Sequence, residues 1–208
     1  FHLAAKLSNF KILNYLLKNY DEYIYNKNEN NENFLNIINF SEKEYVNFIL
    51  QNKLDWNTLF NNYSEEEECP LDFLFYFSTY TNIKKIISKI KIKYNKYLER
   101  PSYFNIFQNK KMNSEKIKEI LYLLYKKDKK IFSYFDSKGN NIIYETILRN
   151  DLYLLKYIYK LNKKNNFFVF DEYTPINTYH VFQIAYKMSI KTDDYKLSKY
   201  IIKEIIDD

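Results

Sequence analysis

The chain has 208 residues, 46% of them hydrophobic and 20% aromatic, with 23 Tyr and 17 Phe; this is ample for a core and excludes a wholly disordered polypeptide. Its formal charge is +6, yet 26 Asp and Glu stand against 32 Lys and Arg, and Glu65, Glu66, Glu67 and Glu68 interrupt any basic surface. The single cysteine, Cys69, excludes an internal disulfide, and no apolar run approaches the ~20 residues that span a bilayer.

Lys, Asn, Ile, Tyr and Phe dominate, and all have AT-rich codons, so genomic base bias accounts for much of the aromatic and lysine content. Small residues are correspondingly scarce: one glycine, Gly139, and three alanines, of which Ala4 and Ala5 are adjacent. In the opening segment Leu3, Ala4, Leu7 and Phe10 recur at helical spacing, Ser8-Asn9 offers a break and a cap, and Ile12, Leu13, Leu16 and Leu17 form a second stripe. Two helices so close in sequence must pack tightly, and the alanines let the second approach the first. A pair this short cannot bury its own apolar face, so it is expected to recur.

Downstream, "NFLN" ends at Asn36, and "CPLD" (Cys69, Pro70, Leu71, Asp72) puts proline in a first helical turn, where its missing N–H is no loss. Ile83, Ile86, Ile87, Ile90 and Tyr94 mark a helix expected to run well past the usual length, with lysines opposite, until Pro101 stops it. "SYFN" ends at Asn105. In "DSKGNNIIYETILRNDLYLLKYIYK" the only glycine follows Asp136 at turn spacing, and Leu154, Leu155, Ile158 and Tyr159 form the next stripe. "TPIN" ends at Asn177, the last stripe is Leu197, Ile201, Ile202 and Ile205, and "KEIIDD" is a charged end suited to capping. Segments 20–32, 51–68, 97–101, 126–140 and 162–173 read as loops.

The opening segment resembles the ankyrin repeat, whose pattern runs Thr-Pro-Leu-His-x-Ala-Ala, then Gly, then Ile-Val-x-x-Leu-Leu. His2, Ala4-Ala5, Ser8, Ile12-Leu13 and Leu16-Leu17 fill those places. In the second good match Asp136 and Gly139 take the β-turn positions, Asn141-Ile142-Ile143-Tyr144 replace Thr-Pro-Leu-His, and Asn150 stands for the inter-helix glycine. Asn tolerates the left-handed conformation better than most residues. The histidine-equivalent positions are 2, 36, 72, 105, 144 and 177, spaced by 34, 36, 33, 39 and 33, against a family period of about 33.

The resemblance implies an all-α ankyrin-type solenoid over 1–208, in approximate repeats 1–32, 33–68, 69–101, 102–140, 141–173 and 174–208. Because Phe1 lies inside the motif, further repeats are expected upstream. By position, the family's partner-facing residues become Lys6, Leu7, Phe40, Tyr76, Phe77, Asn109, Lys110, Leu148 and Arg149. Tyr76 and Phe77 stand out, since exposed aromatics anchor interfaces; the alternative is that both pack internally.

Chemistry has no constellation to rest on. His2 and His180 are too few and too far apart for a metal site, and the repeat accounts for His2 as a backbone-bonding side chain. Cys69 reads as a packed small residue, one glycine forbids a phosphate loop, and the glutamate run lacks the alternation of a calcium loop. No catalytic, cofactor or metal residue is assigned. The resemblance implies a non-enzymatic protein-binding module, expected to be intracellular in the cytoplasm or nucleus, as an adaptor, a scaffold or an effector delivered into a host cell. The alternative is a basic solenoid that binds nucleic acid or a ribonucleoprotein surface through Lys84, Lys85, Lys89, Lys91, Lys93 and Lys96 or through Lys126, Lys127, Lys129 and Lys130.

Overall fold

The computed structural model describes residues 1–66, 68–91, 101–165 and 178–206, with the side chains of 178–180 and 206 excepted. Glu67, Lys93, Tyr94, Lys96, the "TPIN" motif, the His180 side chain and the two final aspartates lie outside them. The fold is all-helical, and no strand occurs among the described residues. The chain forms two compact units, Phe1–Tyr94 with Asn109–Met112, and Asn95–Gln108 with Asn113–Asp208.

In the first unit α1 (His2–Lys6) packs against α2 (Phe10–Asn19). Ser8 turns the chain through the left-handed region at φ 50°, and Asn9 caps α2 by accepting from the Ile12 N–H at 3.1 Å. Five helical residues offer one buried face. Ala4 and Ala5 occupy it, whereas Leu3, Leu7 and Ile12, read as stripe residues, are exposed.

A 3₁₀ turn at Asp21–Tyr25 seats Ile24 in the core, although segment 20–32 reads as loop. The second pair opens on only a 3₁₀ turn, Phe34–Asn36, with reciprocal caps: the Leu35 N–H donates to Asn33 Oδ1 at 2.8 Å and the Asn33 N–H to Asn36 Oδ1 at 3.1 Å. A full helix fails here because Asn39 Oδ1 accepts from the Ser41 N–H and hydroxyl at 3.1 and 2.6 Å, a local turn that competes with helical pairing.

Next come α3 (Lys43–Gln51) and α4 (Trp56–Phe60). The sequence does not announce α4: Asp55 caps it through the Thr58 N–H at 3.2 Å, and Trp56, Leu59 and Phe60 are buried. In α5 (Pro70–Phe77) proline opens the helix and Asp72 accepts from the Cys69 N–H at 2.7 Å. The following helix, α6 (Tyr80–Lys89), buries Ile83, Ile86 and Ile87 but does not continue toward Pro101. Ile90 is extended, and Lys91 is captured by α4: its N–H donates to Asn57 Oδ1 at 2.6 Å, and its carbonyl accepts from Asn61 Nδ2 at 3.1 Å. These elements lie in two rows. One holds α1, the Phe34–Asn36 turn and α5; the other holds α2, α3 and α6.

In the second unit three helices reach 14 or 15 residues. A 3₁₀ segment, Ser102–Gln108, precedes α7 (Ser114–Lys127), then a 3₁₀ turn Ile131–Ser133, α8 (Ile142–Leu148) and α9 (Leu152–Asn165). After 166–177 come α10 (Thr178–Thr192) and α11 (Lys196–Ile201), which runs into a π turn at Ile202–Ile206. Asn150, at φ 55°, separates α8 from α9, and Asp193, at φ 53°, follows α10. Of the terminal stripe, Leu197, Ile201 and Ile205 are buried; Ile202 is exposed, at the start of the π turn. The Ser102–Gln108 segment and α10 both pack on α8, while α7 and α11 both pack on α9.

One loop geometry recurs. The Asn28 N–H donates to the Glu32 carbonyl, Ser64 to Glu68 and Asp136 to Asn140, at 2.9, 2.8 and 2.9 Å. Asn28 Oδ1 accepts from the N–H groups of Asn30 and Glu32, and Asp136 Oδ1 from those of Lys138 and Asn140. The fourth residue is left-handed in both, Asn31 at φ 59° and Gly139 at φ 77°. Asparagine thus does at one turn what the single glycine does at another.

Candidate functional site

The positions singled out in the sequence fall at the ends of the first elements, and the structure sorts them by exposure. Lys6, Leu7, Lys110 and Leu148 are exposed. Tyr76 and Phe77, on the last turn of α5, are 39% and 48% exposed, so internal packing does not describe them. Their rings meet edge-on at 4.6 Å between centroids, and Phe73, one turn earlier, stacks on Phe77 at 6.5 Å. Three aromatic rings therefore form one cluster at a helix end.

Two expected surface residues are corrected. Phe40 is 1% exposed, its ring 5.8 Å from that of Phe60, because α4 covers it. Asn109 is also 1% exposed and works as a staple: Nδ2 donates to the carbonyls of Phe75 and Ser78 at 2.9 and 2.8 Å, and Oδ1 accepts from the Lys111 N–H at 2.9 Å. Lys111 adds a bond from Nζ to the Phe77 carbonyl at 2.7 Å. The last carbonyls of a helix lack partners within it, so these donors fix the end of α5 on which the aromatic cluster stands. Arg149 is likewise half-buried and structural, donating to the Phe107 carbonyl at 2.6 Å and pairing with Asp151 at 3.4 Å.

The same device appears elsewhere. The Tyr45 hydroxyl donates to the Ala5 carbonyl, and Ser78 Oγ donates to the Phe40 carbonyl at 2.7 Å. His2 Nε2 donates to the Glu32 carbonyl at 2.8 Å, and Asn36 Nδ2 to the Glu68 carbonyl at 3.4 Å. His2 is thus a link between turns, as its place in the sequence suggests.

Of a surface in the second unit the sequence offered only Lys126, Lys127, Lys129 and Lys130; Lys118 and the tyrosines beside these lysines were missed. From α7 and the residues after it, Lys126 Nζ lies 4.7 Å from the Tyr122 ring centre and Lys129 Nζ 4.3 Å from that of Tyr125. Lys118 reaches across to α9, 4.9 Å from the Tyr153 ring and 5.6 Å from the Tyr157 ring, and donates to the Tyr153 hydroxyl. That hydrogen bond, and then Glu115 and Glu119, hold the Lys118 ammonium above the ordinary lysine value against slight desolvation. Burial pushes the Tyr157 hydroxyl up to about 12, with smaller contributions from Tyr122, Tyr125 and Tyr153, so four phenols converge here. The signal was legible: Lys118, Tyr122 and Lys126 follow at intervals of four, as do Tyr125 with Lys129 and Tyr153 with Tyr157.

Among the described residues no group of three or more His, Cys, Asp or Glu side chains is placed to hold a metal ion, and no helix is long and apolar enough to cross a membrane. Cys69 is buried. No protein-family model, curated protein or solved structure matches the chain.

Proposed function

We propose that the chain is a divergent ankyrin-type array of about six helix pairs that works as a non-enzymatic protein-binding module, an adaptor, scaffold or host-directed effector. Support comes from several features that share one period. The turns at 28–32, 64–68 and 136–140, opened by Asn28, Ser64 and Asp136, recur at 36 residues or twice that. Ser8 and Asn150 adopt positive φ at the inter-helix position. His2 and Asn36 make equivalent bonds 30 and 32 residues ahead, and elements of like order pack in rows.

The observation that carries the binding reading is the Phe73, Tyr76 and Phe77 cluster, because a part-exposed aromatic group on a stapled helix end pays little ordering entropy on docking. Lys110 and Lys111 beside it supply a charged rim suited to a partner with acidic residues around an apolar pocket.

The test is retention of a protein partner from lysate on the immobilised chain, with nuclease present and at ~200 mM salt. Retention is expected to survive both treatments. Tyr76→Ala with Phe77→Ala is expected to weaken it by ~30-fold or more, the effect of losing an interface anchor. Loss of retention on neutralising Lys126, Lys127, Lys129 and Lys130 alone, with RNA competing for the site, overturns the reading.

A further inference from the structure

The chain's excess positive charge is not spread along it. Residues 114–165 contain twelve Lys and Arg against six Asp and Glu, an excess equal to the +6 of the whole chain. Within that stretch, Lys118, Lys126 and Lys129 each stand about one ring-width from a tyrosine, and Tyr122, Tyr125 and Tyr153 meet around Tyr157. The acidic side chains nearest these lysines are Glu115, 3.9 Å from Lys118, Glu119, and Asp128, which is engaged by the Tyr134 hydroxyl at 2.8 Å and the Lys130 N–H at 2.9 Å.

We propose that this α7–α9 face binds single-stranded nucleic acid, with Lys118, Lys126 and Lys129 taking backbone phosphates and the exposed rings of Tyr122 and Tyr153 taking bases. Charge complementarity requires a polyanion, and the rings select among polyanions. A single strand presents a phosphate and an unstacked aromatic base in every residue, and so matches ammonium groups interleaved with aromatic rings. A protein partner favours rings gathered into one apolar anchor, whereas here each exposed ring is paired with an ammonium group, Tyr122 with Lys126 at 4.7 Å and Tyr153 with Lys118 at 4.9 Å. An anionic membrane favours aliphatic or Trp wedges, whereas the exposed large apolar side chains of α7 and α9 are both tyrosines, Tyr122 and Tyr153. The surface is separate in its residues from the Tyr76 and Phe77 cluster, and either proposal stands without the other.

The experiment is fluorescence anisotropy of a labelled oligouridylate of about 15 nucleotides titrated with the whole chain. Saturable binding is expected, weakening by ~20-fold between about 50 and 200 mM salt if three phosphates are contacted. Tyr122→Ala and Tyr153→Ala are each expected to weaken it at least ~5-fold, while Tyr122→Phe, which keeps the ring, binds as the parent does. Lys126→Gln with Lys129→Gln should both weaken binding and flatten the salt dependence, and Tyr76→Ala with Phe77→Ala should leave it unchanged. If Tyr153→Ala loses its helical circular dichroism, the Tyr122→Ala and Tyr122→Phe pair decides alone. Failure to bind overturns the proposal. So does equal binding by parent and Tyr122→Ala, which reduces the face to charge attraction. Displacement by polyglutamate or by phosphatidylserine vesicles at matched charge also overturns it, in favour of an acidic protein or a membrane.

Discussion

In the first unit the helices run from five to ten residues, and asparagine amides bridge them; in the second, α7, α9 and α10 reach 14 or 15 residues. Every helix leaves four N–H and four carbonyl groups unpaired, so a five-residue helix satisfies almost none of its own backbone. The first unit supplies the missing partners from side chains: Asn33 Nδ2 to the Leu59 carbonyl at 2.7 Å, Asn31 to Tyr63 and Asn62 to Asn31, both at 2.9 Å, and Asn57 and Asn61 on either side of Lys91. In the second unit Ile117, Ile120, Leu121 and Leu124 on α7, and Leu154, Leu155 and Ile158 on α9, bury continuous stripes, beside links such as Tyr103 to the Ile131 carbonyl at 2.5 Å. Asparagine made abundant by base composition is therefore used as a backbone partner where helices are short. Lysine and tyrosine from the same bias collect where helices are long enough to show a regular outer face.

The largest test of that contrast is Phe60→Ala. Phe60 is fully buried on a five-residue helix, and the substitution is expected to cost ~3–5 kcal/mol in chemical denaturation, the range for a large aromatic lost from a core. A change near zero means that residues 51–68 are the loop their composition suggests, and the first unit loses its core helix. Ala5→Leu comes next, an overpacking cost of roughly 1–3 kcal/mol between α1 and α2, whereas the exposed Lys6→Leu should be nearly silent. Equal destabilisation by both contradicts the assigned faces.

Asparagine caps separate the units further. Asn33 is buried and its side chain makes two bonds, so Asn33→Ala is expected to cost ~2 kcal/mol. The exposed cap Asn113, whose side chain accepts from the Lys116 N–H at 3.1 Å, is expected to cost ~1 kcal/mol or less as Asn113→Ala. Equal losses would mean that the bridging amides add nothing beyond capping.

The smallest effect concerns Glu68. Burial, then the carboxylates of Asp72, Glu66 and Glu32, push its carboxyl above the ordinary value. A carboxyl raised in the folded state contributes stability below its unfolded value, and that contribution is lost as pH rises through the folded value, so ionised Glu68 is unfavourable at neutral pH. Because the residue is largely solvated, Glu68→Gln is expected to raise the melting temperature by only about 1–2 °C at pH 7. The gain should vanish near pH 4, about where the carboxyl is protonated in both states. A gain that persists in acid assigns the effect to packing instead.

Much of this architecture is written locally. The alanine pair, the proline of α5, the caps at Asn9, Asn141 and Thr79, and the left-handed turns at Ser8, Asn150 and Gly139 depend on residues a few positions apart, and short-range sterics and hydrogen bonding decide them. The all-helical class is implied by the resemblance, and the stripes of α6 and α9 follow from spacing. Three features do not. The end of α6 is decided by Asn57 and Asn61 more than 25 residues away in the chain. The burial of Phe40 is decided by Phe60, and that of Asn109 by the carbonyls of Phe75 and Ser78. In each case an orphan backbone group or an apolar ring is satisfied by a partner 20 to 34 residues distant, and periodicity within a window of one helix carries no information about it. Local sequence thus sets the caps and most of the buried stripes, but not α4, which forms in a segment whose composition reads as loop. Which equivalent positions became staples and which, like Tyr76 and Phe77, stayed in solvent was settled by packing, because burial depends on what the neighbouring elements bring to cover them.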